Sequence, residues 1–110
     1  MTKLSTLTLK GASGQTYDFT VYSYDTEFNA VGAVYEITHR KKKPEGNYNH
    51  AAIYIGETSD LSTRFDGHHK ESCFTEHNAN CKCIHLDKNE DSRRKKEADL
   101  IDNYNPPCND

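Results

Sequence analysis

A period of two in the apolar residues constrains this chain more than any other feature. Tyr17, Phe19 and Val21 alternate with Asp18 and Thr20, and Leu7 and Leu9 alternate with Thr6 and Thr8. Successive side chains of a strand point to opposite faces, so each segment buries one face and exposes the other. The stretch between them, Lys10-Gly11-Ala12-Ser13-Gly14-Gln15, is rich in turn residues and predicts an N-terminal β-hairpin. Two more apolar runs follow, Ala33-Val34-Tyr35-Glu36-Ile37 and Ala51-Ala52-Ile53-Tyr54-Ile55. The link from His39 to His50 is basic, contains Pro44 and Gly46, and reads as an exposed loop.

The pattern changes after Gly56. Thr58, Ser59 and Asp60 are N-cap candidates, and Leu61 and Phe65 then sit four apart, as on one helix face. Gly67 should end that helix. Another strand is expected at Cys81 to Leu86. A last helix should start near Asp91 and stop before Pro106, which cannot continue it. The expected fold is an α/β chain of the α+β type: a small mixed three-stranded sheet flanked by helices, with the hairpin as an extension. The 110 residues suit one domain, with 1–28 as the extension and 31–109 as the core. Only 34% of the residues are hydrophobic, so that core is small and a site should lie in a shallow groove beside it.

The net charge of −3 gives no general pull toward nucleic acid. Its distribution leaves a locally basic face open, because cations cluster from His39 to Lys43 and from Arg93 to Lys96. No segment approaches the roughly 20 apolar residues that span a bilayer, and no leader pattern opens the chain. The reading is therefore a cytoplasmic protein without membrane contact. In that reducing compartment Cys73, Cys81, Cys83 and Cys108 are expected as free thiols.

Three groups of residues carry chemistry. Glu97, Leu100, Ile101 and Tyr104 fall at i, i+3, i+4 and i+7 and share one helix face. A carboxylate on that apolar stripe is costly to bury without a cation. The competing reading pairs it with Arg93, one turn earlier. Tyr54-Ile55-Gly56 leads into Arg64 and His68, which are four apart and should project from one helix face. Gly56 would let the backbone turn sharply where Tyr54 ends its strand. A guanidinium suits two phosphate oxygens at once, and a histidine moves protons near neutral pH. Tyr35 reaches the same groove if its strand pairs with that of Tyr54. Taken singly, each of these residues also reads as ordinary surface or strand.

Together they resemble the GIY-YIG nuclease family. Val34-Tyr35 resembles the end of the family's first motif, although Ala33 stands where the family has glycine, with Gly32 just before it. Tyr54-Ile55-Gly56 is the second motif in full. Thr58, Asp60-Leu61, Arg64 and His68 resemble its continuation, with the arginine ten residues after the second tyrosine. Glu97 with Leu100-Ile101 resembles the metal-binding glutamate and its helix, and Asn105-Pro106-Pro107-Cys108-Asn109 resembles the closing motif. The resemblance runs from about Val31 to Asn109 and gives the hairpin no role.

The resemblance implies an endonuclease hydrolysing phosphodiester bonds, with DNA as the expected partner. One divalent cation, magnesium or manganese, would sit on Glu97. Tyr35 would be the base that activates water, Arg64 would hold the scissile phosphate, and Tyr54 and His68 would assist. Gly56 and Asn109 would shape the site. With no room for a targeting domain, any sequence specificity would come from a protein partner. The alternatives are a catalytically weak nucleic-acid-binding module of the same fold and a partner-binding domain. Structural zinc is not expected, because the spacings of Cys73, His77, Cys81 and Cys83 match no common zinc pattern. His69, His77 and His85 read as surface or strand residues.

Overall fold

The computed structural model describes residues 3–109. In chain order the elements are β1 (Lys3–Lys10), β2 (Thr16–Ser23), β3 (Ala33–Lys42), β4 (Tyr48–Thr58), α1 (Leu61–Arg64), α2 (Glu71–Glu76), β5 (Cys81–Leu86) and α3 (Glu90–Tyr104). A 3-10 turn, Pro107–Asn109, closes the chain. Among the described residues the strands form one sheet in the order β1-β2-β5-β3-β4, and every pairing is antiparallel. The α+β class holds. The mixed three-stranded sheet with a separate hairpin does not: β2 pairs with β5 over Thr20–Ser23, making the hairpin the far side of the same sheet. No helix among the described residues is long and apolar enough to cross a membrane.

The basic segment expected as a loop is mostly strand. β3 and β4 pair out to Lys42 and Tyr48, beyond the core, and Arg40 lies 3.9 Å over the Tyr48 ring. Its alternation is invisible in the sequence because neither face there is buried against another element.

β3 is covered on both faces from Ala33 to Thr38. Tyr35 and Ile37 pack with Tyr54, Leu61, Phe74 and Ile84 under α1 and α2. Val34 packs with Ile55, Phe19, Val21, Cys83 and Leu100 under α3. Thus α3 lies on the face opposite the two tyrosines. Asp60 caps α1 by accepting from the Ser62 N–H, and Asn89 caps α3 by accepting from the Ser92 N–H.

The expectation of four free thiols is corrected for one pair and holds for the other. Cys73 and Cys108 form a disulfide, because the C-terminal turn comes back against α2 and brings together residues 35 apart in sequence. Cys81 and Cys83 are free, but both are buried on the α3 face.

Glu36 is also buried there. Burial pushes its carboxyl up to about 8. It therefore keeps its proton at neutral pH when folded and loses it when unfolded. A pKa raised on folding adds stability that is complete below about 4.5 and is lost as pH rises toward 8. Glu36→Gln is expected to stabilise the protein by on the order of 3 kcal/mol at pH 7 and by little at pH 4. Denaturant titrations of both proteins at the two pH values test this. Parallel pH dependences would refute it.

Candidate active site

The site forms around Gly56 on β4, which has β3 on one side and a free edge on the other. Tyr35 pairs with Gly56, and Ile37 with Tyr54. Directly paired residues face the same way, so both phenols lie on the face covered by α1 and α2. Their ring centroids are 6.0 Å apart. A Cβ at Gly56 would lie 2.6 Å from Tyr35 Cζ and Oη and 2.8 Å from Tyr54 Cε2. This is the physical reason for glycine here. The sharp turn expected at Gly56 is absent: β4 runs on to Thr58, and Gly56 has no positive φ.

Arg64 and His68 do not share a helix face. α1 ends at Arg64, and Gly67 at φ +60° redirects the chain so that His68 returns to the same point from a loop. Arg64 Nε donates to Tyr35 Oη at 3.0 Å. His68 Nε2 lies 2.9 Å from the same oxygen, and His68 Nδ1 accepts from the Lys70 N–H at 3.0 Å. With Nδ1 accepting, a neutral ring carries its proton on Nε2, which donates to Tyr35. Burial, with the Arg64 charge adding to it, lowers His68 to about 4, so the ring is neutral at physiological pH. One phenol oxygen thus accepts from two N–H donors.

Tyr35 is fully buried, and the half-buried Arg64 lies across it. Burial raises the phenol well above its ordinary value. Tyr54 raises it further, while Arg64 opposes both. The two terminal nitrogens of Arg64 have no hydrogen bond among the described residues. They border a cleft of about 450 Å³ lined by Thr63, Arg64, His68 and His69. His69, read as a surface residue, is exposed and stacks on His68 at 4.7 Å.

Glu97 approaches from the other side. Its helix packs on the opposite face of the sheet. Its carboxylate reaches the free edge of β4, where the Glu57 backbone N–H hydrogen-bonds it. Asn109 holds the same edge two residues earlier. Its Oδ1 accepts from the Ile55 N–H at 2.9 Å, and its Nδ2 donates to the Ile55 carbonyl at 2.8 Å. Alternate residues of an edge strand direct their N–H outward, so Ile55 and Glu57 present these groups together.

The pairing of Glu97 with Arg93 does not occur. Arg93 is buried, donates from Nε to Glu57 Oε1 at 2.9 Å, and donates from a terminal nitrogen to the Asp87 carbonyl at 3.1 Å. Glu97 has no ion pair among the described residues. Burial raises its pKa, Glu57 raises it further, and Arg64 lies close enough to lower it. A half-buried carboxylate with a raised pKa and no ion pair among the described residues suits a divalent ion that keeps most of its waters, as magnesium does on one or two carboxylates. Glu57 and its tie to Arg93 were not foreseen. The one available signal was two acids and an arginine whose spacing in sequence says nothing of contact.

Cys81 and Cys83 face α3, away from Cys73 and His77, so those four residues do not form one ligand set. His85 bonds the Asp18 carbonyl on β2 and Lys96 on α3. No protein-family model, curated protein or solved structure matches this chain.

Proposed function

We propose that the protein is a metal-dependent endonuclease of the GIY-YIG type, acting on phosphodiester bonds in DNA. The observation that carries this reading is the junction at Tyr35 Oη, where Arg64 and His68 meet. It lies beside the β4 edge that holds Glu97. A positioned guanidinium, a phenol with two donors on its oxygen and a carboxylate without a counter-ion are the groups that phosphodiester hydrolysis uses.

In this reading Glu97 holds one magnesium or manganese ion, which would neutralise phosphate charge and assist the leaving oxygen. The free terminal nitrogens of Arg64 bind the scissile phosphate. This draws the guanidinium off Tyr35 and admits water to its oxygen. Because the phenol is raised, no standing phenolate exists at neutral pH. Tyr35 would take a proton from the attacking water as its own proton passes, through a second water, to the leaving oxygen, while the His68 N–H donates to the phenol oxygen throughout. Tyr54 packs beside Tyr35 and flanks the water. Asn109 keeps the β4 edge in place.

The complete burial of Tyr35 is the one observation that favours a binding module with little turnover. Labelled duplex, single-stranded and branched DNA, with an RNA control, should be incubated with magnesium, manganese or chelator. Cleavage is expected with either metal, and none with chelator. Arg64→Ala should lower it by at least ~100-fold. Binding without cleavage in every arm would favour the module, and wild-type cleavage by Arg64→Ala would remove the site assignment.

A further inference from the structure

A second group of ligand atoms converges away from that site. Cys73 Sγ, a ring nitrogen of His77 and Cys108 Sγ lie within 4.8 Å of one another. Cys73 and His77 are four apart on α2 and its C-cap, and the His77 N–H bonds the Cys73 carbonyl. Their side chains therefore leave one face of the helix. Cys108 comes from the C-terminal turn and is 1% exposed, whereas His77 is exposed. The set is closed by a residue that spacing along α2 does not reveal.

Tetrahedral zinc with thiolate ligands at about 2.3 Å separates its sulfurs by about 3.8 Å. A ring nitrogen of His77 already lies within 4.8 Å of both sulfurs.

We propose that, once its disulfide is reduced, the chain binds one zinc ion through Cys73, His77 and Cys108, with water in the fourth position. The reductant is a small dithiol. It supplies two electrons and two protons, the Cys73–Cys108 bond breaks, and the dithiol leaves as its own disulfide. Zinc then displaces the two thiol protons to solvent, forming two bonds to sulfur and one to the neutral His77 ring.

The two linked states have the same mechanical effect. Disulfide or zinc ties the C-terminal turn to α2, and that turn carries Asn109, which holds both polar groups of Ile55. The reduced, metal-free chain keeps those two hydrogen bonds but loses the tie. The proposal stands whether or not the protein is a nuclease.

Zinc uptake should be measured on the whole protein, oxidised and reduced, against a competing chromogenic chelator. One ion per reduced chain and none per oxidised chain is expected. Cobalt in its place should show thiolate charge-transfer absorption. His77→Ala, a change at an exposed position, should weaken binding roughly tenfold or more. A Cys81→Ala/Cys83→Ala protein should bind as wild type. Amide exchange at Ile55 should be fastest in the reduced, metal-free state and slow on adding zinc. No stoichiometric uptake, unchanged binding by His77→Ala, or loss of binding in the Cys81/Cys83 protein would each overturn the proposal.

Discussion

Glu97→Ala is expected to reduce metal-dependent cleavage by about a thousandfold and to leave the fold intact. The side chain has no ion pair to lose among the described residues, and alanine is a better helix former than glutamate. The Glu57 N–H that favours its charged form lies at a free strand edge, where water can take the carboxylate's place. What the change removes is the carboxylate that would hold the metal.

The wild-type pH profile carries a second signature. Burial raises Glu97 above the ordinary value of 4.5. A protonated carboxyl does not ligate metal, so cleavage should fall on the acid side at a higher pH than an ordinary glutamate would set. Added metal competes with the proton and should move that limb downward. The checks are cleavage rates at several metal concentrations across pH, with thermal melts of both proteins. Full cleavage by a folded Glu97→Ala protein would end the metal assignment.

Gly56→Ala is expected to have a large effect for one added carbon. The new Cβ would lie 2.6 Å from Tyr35 and 2.8 Å from Tyr54. Tyr35 is fully buried, with Phe65 against it at 5.0 Å between centroids, so the rings cannot swing clear without disturbing the core. Overpacking of this kind costs about 1–3 kcal/mol. That corresponds to a fall of several degrees in Tm, at roughly 4–8 °C per kcal/mol for a small domain. Activity should fall further than the melting point implies, because Tyr35 Oη is displaced from Arg64 and His68. A variant with wild-type Tm would show that the phenols move freely over β4, contrary to the packing described.

Several elements were legible in the residues themselves. The alternation through Tyr17, Phe19 and Val21 marks β2 to within one residue, since one of its faces is buried throughout. The run Cys81 to Leu86 is β5 as expected, and the last helix begins one residue before Asp91. Asp60 caps α1 because a short side chain can reach the second N–H of the helix, a purely local event. Elements that bury little were not legible. α2 has Phe74 as its single buried residue, and the basic arm of β3 and β4 has no core beneath it.

The chemistry divides in the same way. The residues proposed for it, Tyr35, Tyr54, Arg64, His68, Glu97 and Asn109, were chosen from type and order alone. How they are placed was not legible there. Glu97 comes from the face opposite the phenols and reaches the β4 edge because α3 crosses there, which depends on Leu100 packing against Val34 and Ile55. Arg93 goes to Glu57 for the same reason. Cys108 meets Cys73 only because the chain end folds back on α2. Local backbone preference and apolar period act between near neighbours and are written along the chain. Strand order, the face a helix covers and the partner of a buried charge depend on contacts between distant segments, and those exist only once the sheet has assembled.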